Sequence, residues 1–238
     1  MTVVYLVRHA RASAIEADYD RLHAEGEIQA RLLGEHLKAT AQQFDLCFVG
    51  PHLRQHETLR IARAAAGEIG ASWPEPVLVE GLAEAPYEVL VKSHLVPRLA
   101  TDPKLIAMAE ALRLAADADA RDAVVRTIWD YMVVLWEKGE ISAEGLETSP
   151  RFSERVDEAF SVICTRAREG RRALVMTSNG VIGRILTAAT GTAPPAGQAT
   201  HKLYNTSISI IDLQGSHAML REANLIEHIR DSALRTVL

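Results

Sequence analysis

Three short polar segments of this chain carry residues that can bind an anion, and each segment follows an apolar run. The first is Arg8-His9, the second is Gly50-Pro-His-Leu-Arg54, and the third is Ser178-Asn179-Gly180. If the apolar runs are neighbouring strands, the three segments meet at one edge of a sheet. The pocket would then hold a histidine between two arginines, beside the backbone amides of helix N-termini. That arrangement is expected of a phosphoryl site.

These residue types support phosphoryl transfer. A neutral imidazole is a nucleophile that can attack phosphorus in line. The planar guanidinium group of arginine can bind two phosphoryl oxygens at once and stabilise the charge of the transition state. The departing ester oxygen must also receive a proton, which requires a carboxylic acid nearby. Because an isolated Arg-His pair is common, this interpretation depends on the order and position of the other elements.

The elements that must position these residues alternate between strands and helices. Apolar runs rich in β-branched residues predict strands at 2–7, 45–49, 77–79, 173–177, 206–213 and 217–223. Apolar residues spaced three to five apart predict helices at about 22–41, 52–69, 151–168 and 181–189. This alternation predicts an α/β fold in which a mostly parallel sheet carries helices on both faces.

A helical insertion at about 86–149 interrupts the alternation. No strand is predicted there, whereas helices are predicted at roughly 103–116 and 121–138. The second of these has a broad apolar surface, which we interpret mainly as core; a partner interface or a wall facing the substrate are the alternatives. We expect residues 1–238 to form a single domain in which this insertion covers the site.

Composition and charge exclude several classes of protein. The 26 Lys and Arg residues against 31 Asp and Glu residues give a net charge of -5, so no basic surface is expected for nucleic acid or anionic lipid. The two cysteines, Cys47 and Cys164, lie in apolar stretches and are expected in the core. No apolar run approaches the ~20 residues that cross a bilayer, and the N-terminus does not resemble a targeting segment. We therefore expect a cytoplasmic protein without a membrane partner.

Two histidines, His52 and His56, stand four residues apart on a predicted helix, a spacing that can place metal ligands on one face. Neither a glutamate in the HExxH position nor a cluster of carboxylates accompanies them. We therefore expect neither a metal site nor a cofactor, and interpret both side chains as histidines of the helix surface or the pocket rim.

The segment Leu6-Val-Arg-His-Ala-Arg-Ala-Ser13 resembles the Arg-His-Gly signature of the histidine phosphatase superfamily, which includes the cofactor-dependent phosphoglycerate mutases and many small phosphatases. Further matches span most of the chain: Asp20-Arg-Leu-His-Ala-Glu-Gly26 with Gln29-Ala30, Pro51-His-Leu-Arg-Gln-His-Glu-Thr58, Phe152 with Arg155-Val156, and Ala173-Leu-Val-Met-Thr-Ser-Asn-Gly180. The resemblance implies a three-layer α/β sandwich and phosphorylation of His9 during turnover. It also implies that Arg8 and Arg54 bind phosphate and that an acid lies on the loop after the third strand.

The Leu-x-Glu pattern of this family points to Glu84 as the acid, within the loop Glu80-Gly-Leu-Ala-Glu84. Glu80 and Glu88 are alternatives, and Glu84 can also be a solvated loop carboxylate without a catalytic role. We do not expect the side chain of His9 itself in the core.

Two positions depart from the family pattern. Ala10 replaces the glycine that normally follows the histidine, which would reshape the loop if that position needs a positive φ. Asn179 replaces the family's second histidine. An asparagine amide can still donate a hydrogen bond to a phosphoryl oxygen, but it cannot become a cation or exchange a proton near neutral pH.

Two functions of different classes follow. The first is a metal-independent phosphomonoester hydrolase of a small phosphorylated substrate, acting through phospho-His9 and possessing reduced activity because of Asn179. The second is a non-catalytic protein that binds a phosphorylated ligand or interacts with a partner through the same pocket. A phosphomutase is a third interpretation, which the missing second histidine disfavours. The sequence specifies neither the substrate nor the oligomeric state.

Overall fold

The computed structural model describes residues 2–12, 20–142, 144–167, 170–192, 202–214 and 217–237. Its strands are β1 Thr2–Arg8, β2 Leu46–Val49, β3 Val77–Leu78, β4 Arg172–Thr177, β5 Ile208–Gln214 and β6 His217–Leu225. Its α-helices are α1 Ala24–Ala39, α2 Leu53–Ala65, α3 Glu68–Ala71, α4 Tyr87–Arg98, α5 Pro103–Leu114, α6 Ala118–Glu137, α7 Ser149–Arg166 and α8 Asn179–Thr190. The chain divides into two compact units, the first Met1–Glu84, Arg155–Ala193 and Lys202–Leu238, the second Ala85–Glu154 and Pro194–His201.

The first unit is built on a six-stranded sheet with the order β3-β2-β4-β1-β5-β6. The strands β3, β2, β4 and β1 are parallel neighbours, whereas β5 is antiparallel to both β1 and β6. The predicted α/β class with a mostly parallel sheet is confirmed. Consecutive parallel strands need helical crossovers, which is why helices alternate with strands along the sequence.

Helices cover both faces of this sheet, because successive side chains of a buried strand point to opposite faces. Every second residue of β1, beginning at Val3, joins Leu33 of α1 and Leu59 of α2 in one core cluster. The intervening Val4 and Leu6 are equally buried on the other face, where α8 lies against β1 and β6. A continuous apolar run is therefore required in β1, and the sequence supplies one.

The helix predicted at 52–69 is two helices in the structure. Gly67, with φ of 62°, separates α2 from the short α3 and adopts a backbone conformation that favours glycine. Helical periodicity continues across the break, so the apolar spacing alone could not reveal it.

Among its described residues, the second unit contains one helix more than the sequence predicted. Besides α5 and α6, it includes α4, which carries Pro97 in its last turn and buries Tyr87 and Leu90. A proline weakens the helical signal because it lacks the backbone N–H. The apolar surface of α6 is largely core, as expected: Trp136 is buried and packs edge-on against Tyr87 and Phe152, with ring centroids 5.4 and 5.9 Å away.

None of the helices among the described residues has the length and apolar character needed to span a membrane. Cys47 is buried as expected, and Cys164 is only partly buried.

Candidate active site

The three polar segments meet at the carboxyl edge of the parallel strands, as their positions in the sequence predicted. Arg8 of β1 is in register with Thr177 of β4, and β4 lies between β1 and β2. Beyond the strands, the backbone N–H of His9 donates to the Thr177 carbonyl at 2.8 Å and that of Gly50 donates to the Met176 carbonyl at 3.1 Å. These bonds place the three strand-to-helix junctions side by side.

His9 is more enclosed than the sequence suggested. Its residue is only 7% exposed, so the expectation that its side chain lies outside the core is wrong. The ring Nδ1 lies 2.7 Å from the Ala10 carbonyl oxygen, which can only accept a hydrogen bond, so Nδ1 carries the proton. The lone pair is then on Nε2, where the Nε–H of Arg54 donates to it at 3.1 Å.

The electrostatic surroundings of His9 favour the neutral imidazole. Burial, followed by the positive charges of Arg54 and Arg8, lowers the pKa of His9 well below its ordinary value. A histidine with a depressed pKa keeps its lone pair near neutral pH, and Nε2 is the nitrogen that bears it. The site thus holds a neutral ring nitrogen against a guanidinium group.

Ala10 does not disturb this geometry. The described non-glycine residues with positive φ are Ala41, Thr206 and Asn224, so Ala10 adopts a backbone conformation open to any residue. Its N–H donates to the Thr58 hydroxyl at 3.0 Å, and its carbonyl oxygen accepts from His9 as described above. Replacement of the family's glycine is therefore tolerated.

Arg54 lies in the first turn of α2 and is 4% exposed. Its Nη1 donates to the Asp20 carboxylate at 2.7 Å, while its Nε points to His9. The same carboxylate accepts the backbone N–H groups of Leu53 and Arg54 at 2.6 and 3.3 Å. Asp20 belongs to a segment that matches the family pattern, but the sequence assigns it no role, because nothing local signals its contact with a helix that begins 33 residues later.

Arg8 and Asn179 both contact the backbone of Leu203. The Nη1 of Arg8 donates to the Leu203 carbonyl and, at 2.9 Å, to the Val237 carbonyl. The N–H of Leu203 donates to Oδ1 of Asn179 at 3.3 Å. Asn179 is the first residue of α8. The two side chains thus lie at the carboxyl edge of the parallel strands and also hold the segment that precedes β5. Their role as phosphate ligands stays a prediction.

Of the three candidate acids, the structure brings Glu84 to the site edge. Its Oε2 accepts the backbone N–H of Gly180 at 3.0 Å, at the N-terminus of α8. Glu80 begins a short 3-10 helix and is exposed. Glu88 lies in α4 and pairs with Lys92. The catalytic role of Glu84 remains a prediction.

The loop that carries Glu84 is held from two directions. The Nη1 of Arg155, in α7, donates to the carbonyl oxygens of Gly81 and Ala83 at 2.8 and 3.0 Å. The N–H of Glu84 donates to Nε2 of His52 at 3.1 Å. His52, considered in the sequence only as a rim or surface histidine, therefore contacts the loop of the candidate acid.

No group of three or more His, Cys, Asp or Glu side chains among the described residues is arranged to hold a metal ion. His56 lies on α2 beyond His52, and the two do not share a site with a carboxylate pair. The chemistry available at this edge is that of a neutral histidine, arginines, amides and carboxylates.

The site defines the class of protein: an α/β fold with a mostly parallel sheet that carries a histidine and arginines at its carboxyl edge. Comparison with known families identifies this class. The chain belongs to the histidine phosphatase superfamily (branch 1), whose family model matches residues 4–99 and 117–226. The predicted family membership is confirmed. No curated protein sequence matches the chain significantly.

Solved structures with the same fold cover nearly the whole chain. A phosphoglycerate mutase from Bacillus anthracis is similar with a TM-score of 0.65 and 16% identity, covering 95% of this chain and 94% of that chain. A mutant phosphoserine phosphatase from Entamoeba histolytica, in complex with phosphoserine, has a TM-score of 0.61 and 18% identity, covering 96% and 100%. An alpha-ribazole phosphatase from Shigella flexneri has a TM-score of 0.60 and 19% identity, covering 94% and 96%. At these identities the likeness shows the fold.

Proposed function

We propose that the protein is a metal-independent phosphomonoester hydrolase that acts on a small phosphorylated substrate through a phosphohistidine on His9. The observation that carries this proposal is the state of His9: buried, with Nδ1 donating to the Ala10 carbonyl and Nε2 beside Arg54. Membership of the histidine phosphatase superfamily supports it. The phosphoserine phosphatase with the same fold is in complex with phosphoserine, which agrees with a small phosphorylated substrate here.

In the first step, Nε2 of His9 attacks phosphorus and forms the N–P bond while the ester P–O bond breaks. Glu84, as the carboxylic acid, gives its proton to the departing ester oxygen, so the product is a neutral alcohol. Arg54, with Arg8, stabilises the charge on the phosphoryl oxygens, and Asn179 can donate an amide hydrogen bond to them.

In the second step, water replaces the histidine. The Glu84 carboxylate accepts a proton from water, the oxygen of water bonds to phosphorus, and the N–P bond breaks. Inorganic phosphate leaves, and His9 is restored to its neutral form. Neither step needs a cofactor, because the chain's own groups supply the nucleophile, the acid and the positive charge.

A second candidate function is supported by Asn179. With an amide at this position, the site has one potential cation fewer than the family pattern, and a phosphorylated ligand can be bound without efficient transfer. Removing a preorganised donor from such a site typically costs on the order of 10² to 10³ in rate, so losing only the charge should cost about that or less. A mutase would require a pocket that rebinds its intermediate, which the same substitution disfavours.

The test is a brief incubation with 4-nitrophenyl phosphate, followed by an acid-free quench and mass measurement of the intact protein. We expect one phosphoryl group, located at His9 by peptide mapping, and its absence in His9→Ala. His56→Ala, which removes a histidine of α2 that has no place in the proposed site, is the matched control and should be labelled like the wild type. Turnover by His9→Ala above about 10% of the wild-type rate would exclude histidine catalysis, since a lost nucleophile costs orders of magnitude.

The same preparation distinguishes the second candidate. Inorganic phosphate or vanadate should raise the melting temperature of the wild type, because a ligand of the native state stabilises it. Arg54→Ala should lose this protection. A wild type that is protected by phosphate yet forms no phosphohistidine and releases no product would favour the binding protein over the hydrolase.

A further inference from the structure

His52 is the N-cap residue of α2, with an extended backbone at φ -76° and ψ 140°. Asp20 accepts the first two amides of α2, the N–H groups of Leu53 and Arg54, and the third, the N–H of Gln55, donates to the His52 carbonyl. The imidazole of His52 instead leaves its own helix and reaches the acid loop, where Nε2 accepts the N–H of Glu84 at 3.1 Å. The side chain therefore joins the N-terminus of α2 to the backbone of the candidate acid.

The hydrogen bond fixes the tautomer of His52. A nitrogen that accepts a hydrogen bond from a backbone N–H carries no proton, so the proton of the neutral ring is on Nδ1. The Nδ1 of His52 is 4.0 Å from Oδ2 of Asp20, whose carboxylate also holds Arg54. A carboxylate on the Nδ1 side favours this tautomer and orients the ring.

Charged groups from three elements face the ring. Arg54 comes from α2 itself, Arg155 from α7, and Asp20 from the segment before α1. Burial and the two arginines outweigh the attraction of Asp20 and lower the pKa of His52 to about 4. The imidazole is therefore neutral near pH 7, which is the state that can accept a hydrogen bond.

We propose that His52 is a positioning residue that holds the loop of Glu84 beside the N-terminus of α2, where Arg54 contacts His9. Its hydrogen bond fixes the backbone of Glu84, while Gly180 holds the carboxylate and Arg155 holds the preceding carbonyl groups. Asp20 contacts Arg54, which donates to His9, and approaches His52, which accepts the N–H of Glu84. The nucleophile and the acid are therefore both positioned by residues at the N-terminus of α2. This proposal rests on the proposed function.

Displacement of an acid has a recognisable kinetic effect. An alkoxide is a poor leaving group and needs the proton of Glu84, whereas 4-nitrophenolate leaves with little assistance. A loosened Glu84 loop should therefore impair an alkyl phosphate more than an aryl phosphate. A general loss of folding or of phosphate affinity would lower both rates together.

The variants differ in whether a side-chain oxygen can extend as far as the backbone N–H of Glu84. In His52→Gln the side-chain oxygen can take the place of Nε2, whereas in His52→Asn the oxygen is one methylene short; His52→Leu removes the acceptor. The experiment measures kcat/KM for glycerol 2-phosphate and for 4-nitrophenyl phosphate in each variant. We expect the alkyl-to-aryl ratio to fall about tenfold or more in His52→Leu and His52→Asn, as in Glu84→Gln, and to return towards the wild-type value in His52→Gln.

A second measurement reports on the contact without turnover. Amide hydrogen exchange of Glu84 should be protected in the wild type and in His52→Gln, and should accelerate in His52→Asn and His52→Leu. Equal losses for the two esters, or a glutamine variant no better than asparagine, would overturn the positioning role. Failure of the proposed function has a different signature, because the wild type would then form no phosphohistidine although the Glu84 amide remains protected through His52.

Discussion

At the scale of single residues, the chemistry of the site depends on which hydrogen bonds each side chain already makes. His9 donates from Nδ1 to a main-chain carbonyl, so the lone pair of the ring lies on Nε2. Arg54 contacts that nitrogen and Asp20 at once, which fixes its guanidinium plane between a ring and a carboxylate. Asn179 uses Oδ1 to accept the N–H of Leu203, and this places its amide at the start of α8.

Substitution of this asparagine tests whether the site works with a missing cation. We expect Asn179→His to raise the rate of phosphate release by roughly tenfold, because an imidazolium adds positive charge where phosphoryl oxygens gather. The measurement is kcat/KM with 4-nitrophenyl phosphate. Asn179→Asp is the matched control: it keeps an oxygen for the Leu203 N–H but replaces the amide donor with negative charge, so the rate should fall.

An unchanged or slower Asn179→His, with an unaltered melting temperature, would show that position 179 does not contact the phosphoryl group. If that variant and the wild type are both silent although they bind phosphate, the pocket lacks more than one catalytic residue. That result would also count against Glu84 as a competent acid.

At the scale of elements, α2 organises the site. Its N-terminal turn supplies His52 and Arg54, and Gln55 in the same turn donates from Nε2 to the Ser178 hydroxyl at 2.7 Å. These contacts join α2 to the junction between β4 and α8. The position of α2 depends in turn on α1, because the two helices pack closely where a Cβ on Gly34 would lie 2.1 Å from the Ala62 carbonyl oxygen.

This close approach predicts that Gly34→Ala destabilises the protein. The added methyl would overlap the main chain of α2, so the helices must separate, at a typical cost of about 1–3 kcal/mol in the free energy of unfolding. Urea unfolding measures it. Glu35→Ala, an exposed neighbour on α1, is the control and should change stability by no more than about 0.5 kcal/mol. A Gly34→Ala variant as stable as the wild type would mean that the helices have room to adjust.

At the scale of the whole molecule, buried neutral histidines link folding to pH. Burial and the neighbouring His36 lower the pKa of His228 to about 4 from an ordinary 6.5. Its Nε2 lies 2.9 Å from the Thr206 hydroxyl. The backbone N–H of Thr206 donates to the carbonyl of Arg8 at the end of β1. The unfolded chain binds a proton at His228 at higher pH than the folded chain does. The stability that neutral His228 contributes is therefore fully present above about pH 6.5 and is lost as the pH falls towards 4.

We therefore expect His228→Gln to resist acid better than the wild type. Glutamine can still hydrogen-bond to Thr206 but takes up no proton, so the loss of unfolding free energy between pH 7 and pH 4.5 should be smaller by about 2 kcal/mol. Urea unfolding at the two pH values measures the difference. His217→Gln, which removes an exposed histidine, is the matched control. Equal acid sensitivity in the wild type and His228→Gln would refute this linkage.

The sequence by itself determined the α/β class, the family and the residues that follow the main strands. Strands such as β1 and β4 are buried on both faces and therefore appear as continuous apolar runs that end in polar residues. Because parallel strands end at the same edge of a sheet, the sequence predicted that His9, Arg54 and Asn179 meet if their strands are neighbours, and the strand order β2-β4-β1 meets that condition. Local patterns failed where periodicity misleads, at Gly67 inside a helical pattern and at Pro97 inside a real helix.

Only the tertiary structure decided which partner each site residue has. Asp20 contacts Arg54, and His52 contacts Glu84, across 34 and 32 positions of the chain. Arg8 reaches the carbonyl of Val237, near the other end of the sequence. Such contacts depend on how separately formed elements pack, because loop closure brings distant residues together without any local spacing to mark them. The same packing encloses His9 and sets its protonation, which no run of residues around it could specify.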